Sequence, residues 1–198
     1  MKQYILHAAS DAAIASQQAR EAIDRGYRWL QIVLPQDIDA DRQREIAEAI
    51  ANECRDISAN EAETAEIETI MTLVDNAALV DQLKISGLHM SNPLPQLVAA
   101  AREQLGAHAI IGADCLTPDQ ALALKPLDID YITVDTDNTP EATRRLAEIC
   151  ETVNGQGHRH HIVAKGTFNN ATEQQLLDSG VAGFAIDDNA NDPTTNPT

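Results

Sequence analysis

HIVAKGTFNNATEQQLLDSGVAGFAI, at residues 161–186, is typical of one strand, helix and strand unit of a parallel sheet. Its two ends, 161–164 and 183–186, are short apolar runs, as expected of strands that are covered on both faces. Its middle, 170–179, is longer and has the composition of a helix. A strand followed by a helix and a further parallel strand is the repeating unit of an α/β fold.

The same alternation continues from this unit back to the N-terminus and repeats about eight times. Apolar runs predict strands at 4–7, 29–34, 68–74, 87–90, 108–112, 131–134, 161–164 and 183–186. Segments of helical period predict helices at 11–25, 41–52, 77–84, 95–105, 118–124, 140–152 and 170–179. Three of these helices open with proline, the favoured first helical residue. The pattern predicts a (β/α)8 TIM barrel of the α/β class.

The end of the chain, DDNANDPTTNPT, differs in composition from the preceding repeats. It is polar and rich in Asn, Asp, Thr and Pro, which predicts a tail at 188–198 and a last helix that is short or missing. No earlier segment separates a second domain. With 198 residues, of which 43% are hydrophobic, the chain predicts a single TIM-barrel domain over residues 1–187.

The charge balance argues against two classes of partner. The chain has 31 acidic and 14 basic residues and a formal net charge of -17. Nucleic acids and acidic membrane surfaces are bound mainly through Lys and Arg, so we expect neither as a partner. A small anion stays compatible with this charge, because a helix N-terminus or a few local cations can hold a phosphate.

The cysteine pattern and the hydropathy indicate a cytoplasmic protein. Cys54, Cys115 and Cys150 lie far apart without CxxC spacing, which indicates neither a disulfide framework nor a structural zinc site. The N-terminus lacks the apolar core of a signal peptide, and no window approaches the roughly 20 apolar residues of a membrane span. We therefore expect a soluble chain in a reducing compartment.

Six segments resemble motifs of the thiamine-phosphate synthase and thiazole tautomerase family, and together they cover nearly the whole chain. In the first half of the chain, the family motif V-Q-L-R-x-K-D is similar to LQIVLPQD at 30–37, L-I-N-D-R is similar to TLVDN at 72–76, and G-V-H-L-G-Q-x-D-L-P is similar to GLHMSNPLP at 87–95. In the second half, x-I-I-G-V-S-x-H-T is similar to AIIGADCLT at 109–117, and D-Y-I-G-V-G-P is similar to DYITVDT at 130–136. The last motif, V-A-I-G-G-I-x-x-x-N with the following A-G-A-D-G-V-A-V, is similar to VAKGTFNNATEQQLLDSGVAGFAI at 163–186. The motifs occur in the family's order, which identifies the chain as a divergent member.

The resemblance implies a transferase that joins an aminopyrimidine pyrophosphate to a thiazole phosphate, with magnesium as cofactor if that activity is retained. The cofactor is otherwise unknown. The pyrimidine-side Gln is kept as Gln31, but the family's Arg falls on Val33 and its Lys on Pro35. The phosphate-binding Ser falls on Asp114. Because departure of pyrophosphate needs cations at the leaving group, we expect the transfer to be weak or lost.

Asp75 and His89 are the candidates for metal binding and catalysis. The family's first magnesium-ligand Asp maps to Asp75, whereas the second carboxylate is missing from SNPLP at 91–95. Alternatively, Asp75 caps the helix predicted at 77–84. Some relatives are thiazole tautomerases with a catalytic histidine, which suggests His89. A hydrogen-bonded core histidine is the alternative.

The loop after the seventh strand is the predicted phosphate site. Gly166 and Thr167 precede a predicted helix, and Lys165, the one cation among the strand-end candidates, lies beside them. In the other interpretation, Lys165 covers apolar surface and pairs with Asp187 or Asp135. Cys115 is predicted to be a packed residue, because the adjacent charge disfavours a thiolate.

Three functions stay open from the sequence. The first is a divergent thiamine-phosphate-synthase-like protein of thiamine metabolism that binds a small phosphorylated molecule. The second is a barrel without catalytic activity that binds or organises a partner, and the third is a thiazole-tautomerase-like enzyme. The resemblance is also compatible with a homodimer. Whether the chain is an enzyme is not decided by its residues.

Overall fold

A computed structural model gives the fold of the chain and describes residues 2–61, 68–136, 139–154, 161–168 and 170–187. The strands are β1 (Lys2–His7), β2 (Trp29–Val33), β3 (Ile70–Val74), β4 (Gly87–Met90), β5 (Ile110–Asp114), β6 (Tyr131–Asp135), β7 (His161–Lys165) and β8 (Gly183–Ile186). The helices of the described part are α1 (Ala12–Asp24), α2 (Ala40–Glu61), α3 (Ala77–Leu83), α4 (Pro95–Leu105), α5 (Pro118–Leu124), α6 (Pro140–Asn154) and α7 (Asn170–Asp178). Strands and helices alternate throughout.

The strands form a closed barrel in the order β1 to β8, with parallel pairing between neighbours. The predicted (β/α)8 TIM barrel is therefore confirmed. The polar tail at 188–198, and with it the predicted weakness of the last helix, lies outside the described residues. Within the described part, no helix is long and apolar enough to cross a bilayer.

Two compact units can be distinguished, and each is described by itself. The first unit comprises Lys2–His89 and Gln104–Ile110, and the second comprises Met90–Glu103 and the described residues from 111 onward. The single domain predicted for residues 1–187 stays a prediction.

The first unit has a helix-covered face and an inner face. Tyr4 on β1 stacks on Tyr27, with ring centroids 4.9 Å apart, and the guanidinium of Arg25 lies 5.1 Å from its ring. Both partners directly follow α1, so the face of β1 that carries Tyr4 is the one covered by helices. Because side chains alternate along a strand, Gln3 and Ile5 lie on the inner face.

The strand register extends this inner face over β2, β3 and β4. Ile5 pairs with Gln31, Gln31 with Thr72, and Thr72 with Gly87. Trp29 also lies on this face, because its Nε1 donates to Thr72 Oγ1 over 3.4 Å. Polar groups therefore occupy the centre of the inner face of the first unit.

In the second unit, the register places charged residues side by side at the ends of β6 and β7. Asp135 pairs with Lys165, and Lys165 with Ala185 on β8. Lower on the same face, the ring of Tyr131 covers Gly112 so closely that a Cβ atom at Gly112 would overlap the ring. This part of the face is therefore filled by an aromatic ring.

One predicted boundary, the end of α2, was wrong, and the start of β5 lies two residues after the predicted one. Helix α2 ends at Glu61 rather than at residue 52, because no Gly or Pro interrupts residues 53–61 and Cys54 continues the buried face. Strand β5 begins at Ile110 rather than at 108, because Gly106 has a φ of 81° and a turn follows it. All boundaries except the end of α2 agree within two residues.

Candidate functional site

Gln31 offers an unused acceptor on the inner face of the first unit. Its side chain is 4% exposed, and its Oε1 has no hydrogen-bond partner among the described residues. Its strand neighbours are Ile5 and Thr72. A buried amide oxygen without a partner is suited to accept a hydrogen bond from a ligand or from ordered water.

Asp75 follows β3 in a left-handed backbone conformation with a φ of 53°. Its side chain is exposed, and its backbone N–H donates to His89 O over 2.9 Å. The cap of α3 is its neighbour Asn76, whose Oδ1 accepts from Leu79 N over 3.1 Å. The alternative prediction that Asp75 caps this helix was therefore wrong.

His89 is 1% exposed and lies on β4, where it pairs with Val74. Its carbonyl is the acceptor of the Asp75 N–H, so the structure brings these two predicted site residues together through the backbone. An imidazole with almost no exposed surface has little access to a substrate. Its burial favours the core histidine over the catalytic, tautomerase-like interpretation, which stays a prediction.

The residues of this loop do not fit the magnesium site that the family resemblance implies. Asp75 supplies one carboxylate, whereas the Val74 side chain has no atom that can bind a metal ion. The side-chain oxygen of Asn76 accepts a hydrogen bond in the helix cap. Over the described residues, no group of three or more His, Cys, Asp or Glu side chains is arranged to hold a metal ion. Mg²⁺ is bound by carboxylates together with substrate phosphates, and a lone exposed carboxylate is a weak ligand.

Lys165 in the second unit is engaged by a carboxylate. Its Nζ lies 3.4 Å from Oδ1 and 3.5 Å from Oδ2 of Asp135, and its side chain is 24% exposed. Asp135 is one of the two partners predicted for it. Any anion at Lys165 therefore has to compete with a carboxylate that is already in place.

Gly166 is packed tightly after β7 and has a φ of 151°. A Cβ atom there would lie 2.5 Å from the carbonyl oxygen of Thr136. The Gly166 N–H donates to Ala185 O over 2.9 Å, so it belongs to the strand pairing. Thr167 is exposed, and α7 begins at Asn170. A phosphate bound at this loop would need donors other than the Gly166 amide.

Arg145 is a cation that the sequence analysis missed. From α6, its Nη2 donates to the carbonyl oxygen of Asp135 over 2.9 Å. Lys165 is therefore not the one cation beside this strand end. The adjacent pair Arg144 and Arg145, shortly after the sixth strand, was a signal for it, but the helical position alone does not show that the side chain reaches back to the strand.

Cys115 is a packed thiol, as predicted. It is 0% exposed, and its Sγ donates to Thr117 O over 3.5 Å. Burial is the main cause that raises the pKa of the Cys115 thiol to about 11, and the charge of Asp114 acts in the same direction. A neutral thiol is a poor nucleophile.

Comparison with known proteins places this barrel in a family. A profile of the thiamine monophosphate synthase family matches residues 3–188. The chain belongs to this family. The match spans Gln31, Asp75, His89 and Lys165, so the family positions assigned from the sequence lie within it.

Curated relatives are similar over part of their length. The thiamine-phosphate synthase of Chlamydia abortus is 29% identical over 131 residues, which cover 60% of this chain and 58% of that protein. The thiamine-phosphate synthase of Chlamydia caviae is 31% identical over 123 residues, which cover 56% of this chain and 54% of that protein. The chain thus spans between half and two thirds of the relatives' length.

Solved structures support the fold. The thiamine phosphate pyrophosphorylase from Pyrococcus furiosus matches with a TM-score of 0.70 and 19% identity, covering 94% of this chain and 85% of that one. A 3-dehydroquinate dehydratase from Geobacillus kaustophilus matches with a TM-score of 0.66 and 14% identity, covering 93% of this chain and 81% of that one. At these identities the likeness concerns the barrel, which hosts unrelated chemistries.

Proposed function

We propose that this chain is a divergent thiamine-monophosphate-synthase family member that binds a small phosphorylated molecule at the carboxyl ends of its strands. In this proposal, its transfer of the pyrimidine to thiazole phosphate is weak or lost. The observation that carries the proposal is the pairing of Lys165 with Asp135, with Nζ 3.4 Å from the carboxylate. A cation at a strand end is present, but its charge is already compensated.

The residues at the family's other anion-binding positions also support a weak or lost transfer activity. Val33 and Pro35 replace an Arg and a Lys, and Asp114 replaces a phosphate-binding Ser. A carboxylate about 4 Å from a phosphate oxygen opposes binding by a few kcal/mol at an effective dielectric near 20. These exchanges disfavour a pyrophosphate leaving group more strongly than a monophosphate, because the pyrophosphate carries more charge.

Binding of a pyrimidine-like ligand is supported by Gln31. Its amide oxygen has no partner among the described residues and lies on the inner face at the family's pyrimidine-side position. The proposed chain therefore keeps an acceptor for an exocyclic amine and has lost the cations that would drive the chemical step. Recognition and catalysis are separated in this proposal.

Pyrophosphate release tests the proposal directly. We expect the purified protein, supplied with the aminopyrimidine pyrophosphate, thiazole phosphate and Mg²⁺, to show kcat/KM at least about 1000-fold below the 10⁴–10⁸ M⁻¹s⁻¹ typical of enzymes. The double variant Val33→Arg with Pro35→Lys should raise the rate. Its matched control, Val33→Met with Pro35→Met, adds side chains of similar length without charge and should not. A normal rate for the unmodified protein contradicts the proposal.

A second candidate, a barrel without catalytic activity, is favoured by the same Lys165–Asp135 pair, because the ammonium group already has a carboxylate of the same chain beside it. Thermal-shift measurements with thiamine monophosphate, thiazole phosphate and pyrophosphate, each with and without Mg²⁺, separate the two. A stabilisation that grows with ligand concentration supports the small-molecule site. No shift with any of the three supports the second candidate.

A further inference from the structure

Gln3 is a polar residue with no exposed surface. Its exposed fraction is 0%, and neither Oε1 nor Nε2 has a hydrogen-bond partner among the described residues. Gln31, which is 4% exposed, shares this property at its Oε1. Three amide atoms on the inner face of β1 and β2 thus have no hydrogen-bond partner within the part of the chain that the structure describes.

Unsatisfied amides at this depth are expensive for a folded protein. Each buried donor or acceptor without a partner lowers the folding equilibrium constant by roughly one to two orders of magnitude. The Gln3 amide has two donor hydrogens and two acceptor sites, so several hydrogen bonds are involved. Native proteins satisfy such groups with ordered water where the protein does not, and their buried waters make about three hydrogen bonds each.

The strand register determines how far apart the two residues lie on the inner face. Gln3 lies two residues before Ile5 on the inner face, and Ile5 pairs with Gln31. Strands about 4.8 Å apart with a rise of about 3.3 Å per residue put the Cα atoms of Gln3 and Gln31 roughly 8 Å apart. The side chains are therefore diagonal neighbours on one face.

Thr72 supplies a third polar group at this level. It is 0% exposed and pairs with Gln31, and its Oγ1 accepts from Trp29 Nε1 over 3.4 Å. The hydroxyl proton of Thr72 is then a donor for a neighbouring oxygen. Two amides and one hydroxyl on adjacent strands provide the two to four polar partners that a buried water needs.

We propose that an ordered water bridges the side-chain amides of Gln3 and Gln31, and that Gln3 is a positioning residue that fixes the direction of Gln31 Oε1 through this water. The water itself is independent of any ligand. Its consequence for recognition rests on the proposed function, because Gln31 is the residue proposed to accept from the pyrimidine amine. Gln3 contacts no substrate in this proposal.

Thermal unfolding of a Gln3 variant shows whether the Gln3 amide is hydrogen-bonded to water or has no partner. If water satisfies the amide, Gln3→Leu removes those hydrogen bonds and lowers Tm by about 3–6 °C. If the amide is dry and unsatisfied, the same variant removes a penalty and raises Tm. Gln82→Leu is the matched control, because Gln82 is exposed on α3. A Tm for Gln3→Leu equal to or above that of the unmodified protein overturns the proposal.

Nuclear magnetic resonance of the unliganded, ¹⁵N-labelled protein tests the bridge without relying on a variant that folds. We expect cross-relaxation from a long-lived water to the side-chain NH2 groups of both Gln3 and Gln31. Signals at neither group, or at only one, overturn the bridge. Because no substrate is present, this result stands whether or not the protein binds a pyrimidine.

The positioning role has its own readout. In Gln3→Leu, the side-chain amide resonances of Gln31 should shift and broaden. In Gln3→Asn, which keeps an amide and leaves room for water, they should return towards the positions of the unmodified protein. A structural role alone predicts a lower Tm without this recovery. Gln31 resonances that do not move in Gln3→Leu overturn the positioning role.

Discussion

Gln31 in the first unit and Lys165 in the second are the two predicted ligand-binding side chains whose hydrogen-bonding state differs most clearly. Gln31 is 4% exposed and has an amide oxygen without a protein partner among the described residues. Lys165 is 24% exposed by side chain, yet its ammonium group lies 3.4 Å from a carboxylate oxygen of Asp135. The buried amide oxygen has no partner among the described residues, whereas the more accessible ammonium already has a carboxylate beside it.

This difference shows that position at a strand end is insufficient to assign a binding role. A group contributes to binding when its bonding capacity is not already used, or when the ligand outcompetes the present partner. The same criterion applies to Gly166, whose backbone N–H donates to the carbonyl oxygen of Ala185.

The largest expected effect tests whether the close packing at Gly166 requires a residue without a Cβ atom. Gly166→Ala places a Cβ 2.5 Å from Thr136 O at a φ of 151° and should destabilise the protein by about 2–4 kcal/mol. Gly26→Ala is the control, since its φ is 94° but nothing lies within 4 Å, and it should cost about 1 kcal/mol. Urea denaturation measures both. Equal losses for the two variants would show that close packing at Gly166 is unimportant.

A second prediction tests whether Cys115, directly after β5, is a buried thiol whose hydrogen-bonding capacity is already used, as it is for the Gly166 N–H. Its pKa is raised from 9.0 to about 11, mainly by burial, so its contribution to stability is present below pH 9 and is lost as pH rises through 11. At pH 10 this loss is about 1 kcal/mol for one thiol. The free energy of unfolding, measured from pH 8 to pH 10, should therefore fall less steeply in Cys115→Ala than in the unmodified protein. Identical slopes would indicate an accessible thiol.

A third prediction sharpens the comparison at Lys165 itself. Asp135→Asn removes the competing charge and should increase the affinity for inorganic phosphate by roughly 3-fold, because a partly exposed ion pair contributes less than about 1 kcal/mol. Calorimetric titration provides the measurement. The double variant Asp135→Asn with Lys165→Met should lose this gain. A gain that persists in the double variant would assign the anion to another group, such as Arg145.

The smallest expected effect concerns the metal. Because Asp75 is the one carboxylate at its loop that maps to a family ligand, millimolar Mg²⁺ should change Tm by less than about 1 °C. Asp75→Asn should respond in the same way. If Mg²⁺ raises Tm by several degrees and Asp75→Asn abolishes the rise, then further oxygen ligands complete a site around Asp75.

The helix starts could be predicted because local chemistry determines them. Pro95, Pro118 and Pro140 each open a helix at the predicted residue, since the fixed φ of proline suits the first helical position. At α3 the local signal was ambiguous. Asp75 and Asn76 are both good capping residues, and the helix uses Asn76.

Contacts between distant strands and helices could not be predicted in the same way. Lys165 and Asp135 are 30 residues apart, and the β6–β7 register makes them neighbours. Arg145 reaches Asp135 from a helix whose rotation the sequence does not specify. Gln3 lies outside the strand predicted at 4–7, because a polar residue at a strand start is typical of a solvated end. The closed barrel instead buries it on the inner face.

Trp29 gives this fold an optical consequence. It is the sole tryptophan of the chain, it is 9% exposed, and it lies two residues before Gln31 on the same inner face, with its indole bonded to Thr72. Its emission spectrum therefore reports on the polarity around Gln31 without any attached dye. A fluorescence titration that excites the tryptophan selectively can therefore follow events at that face.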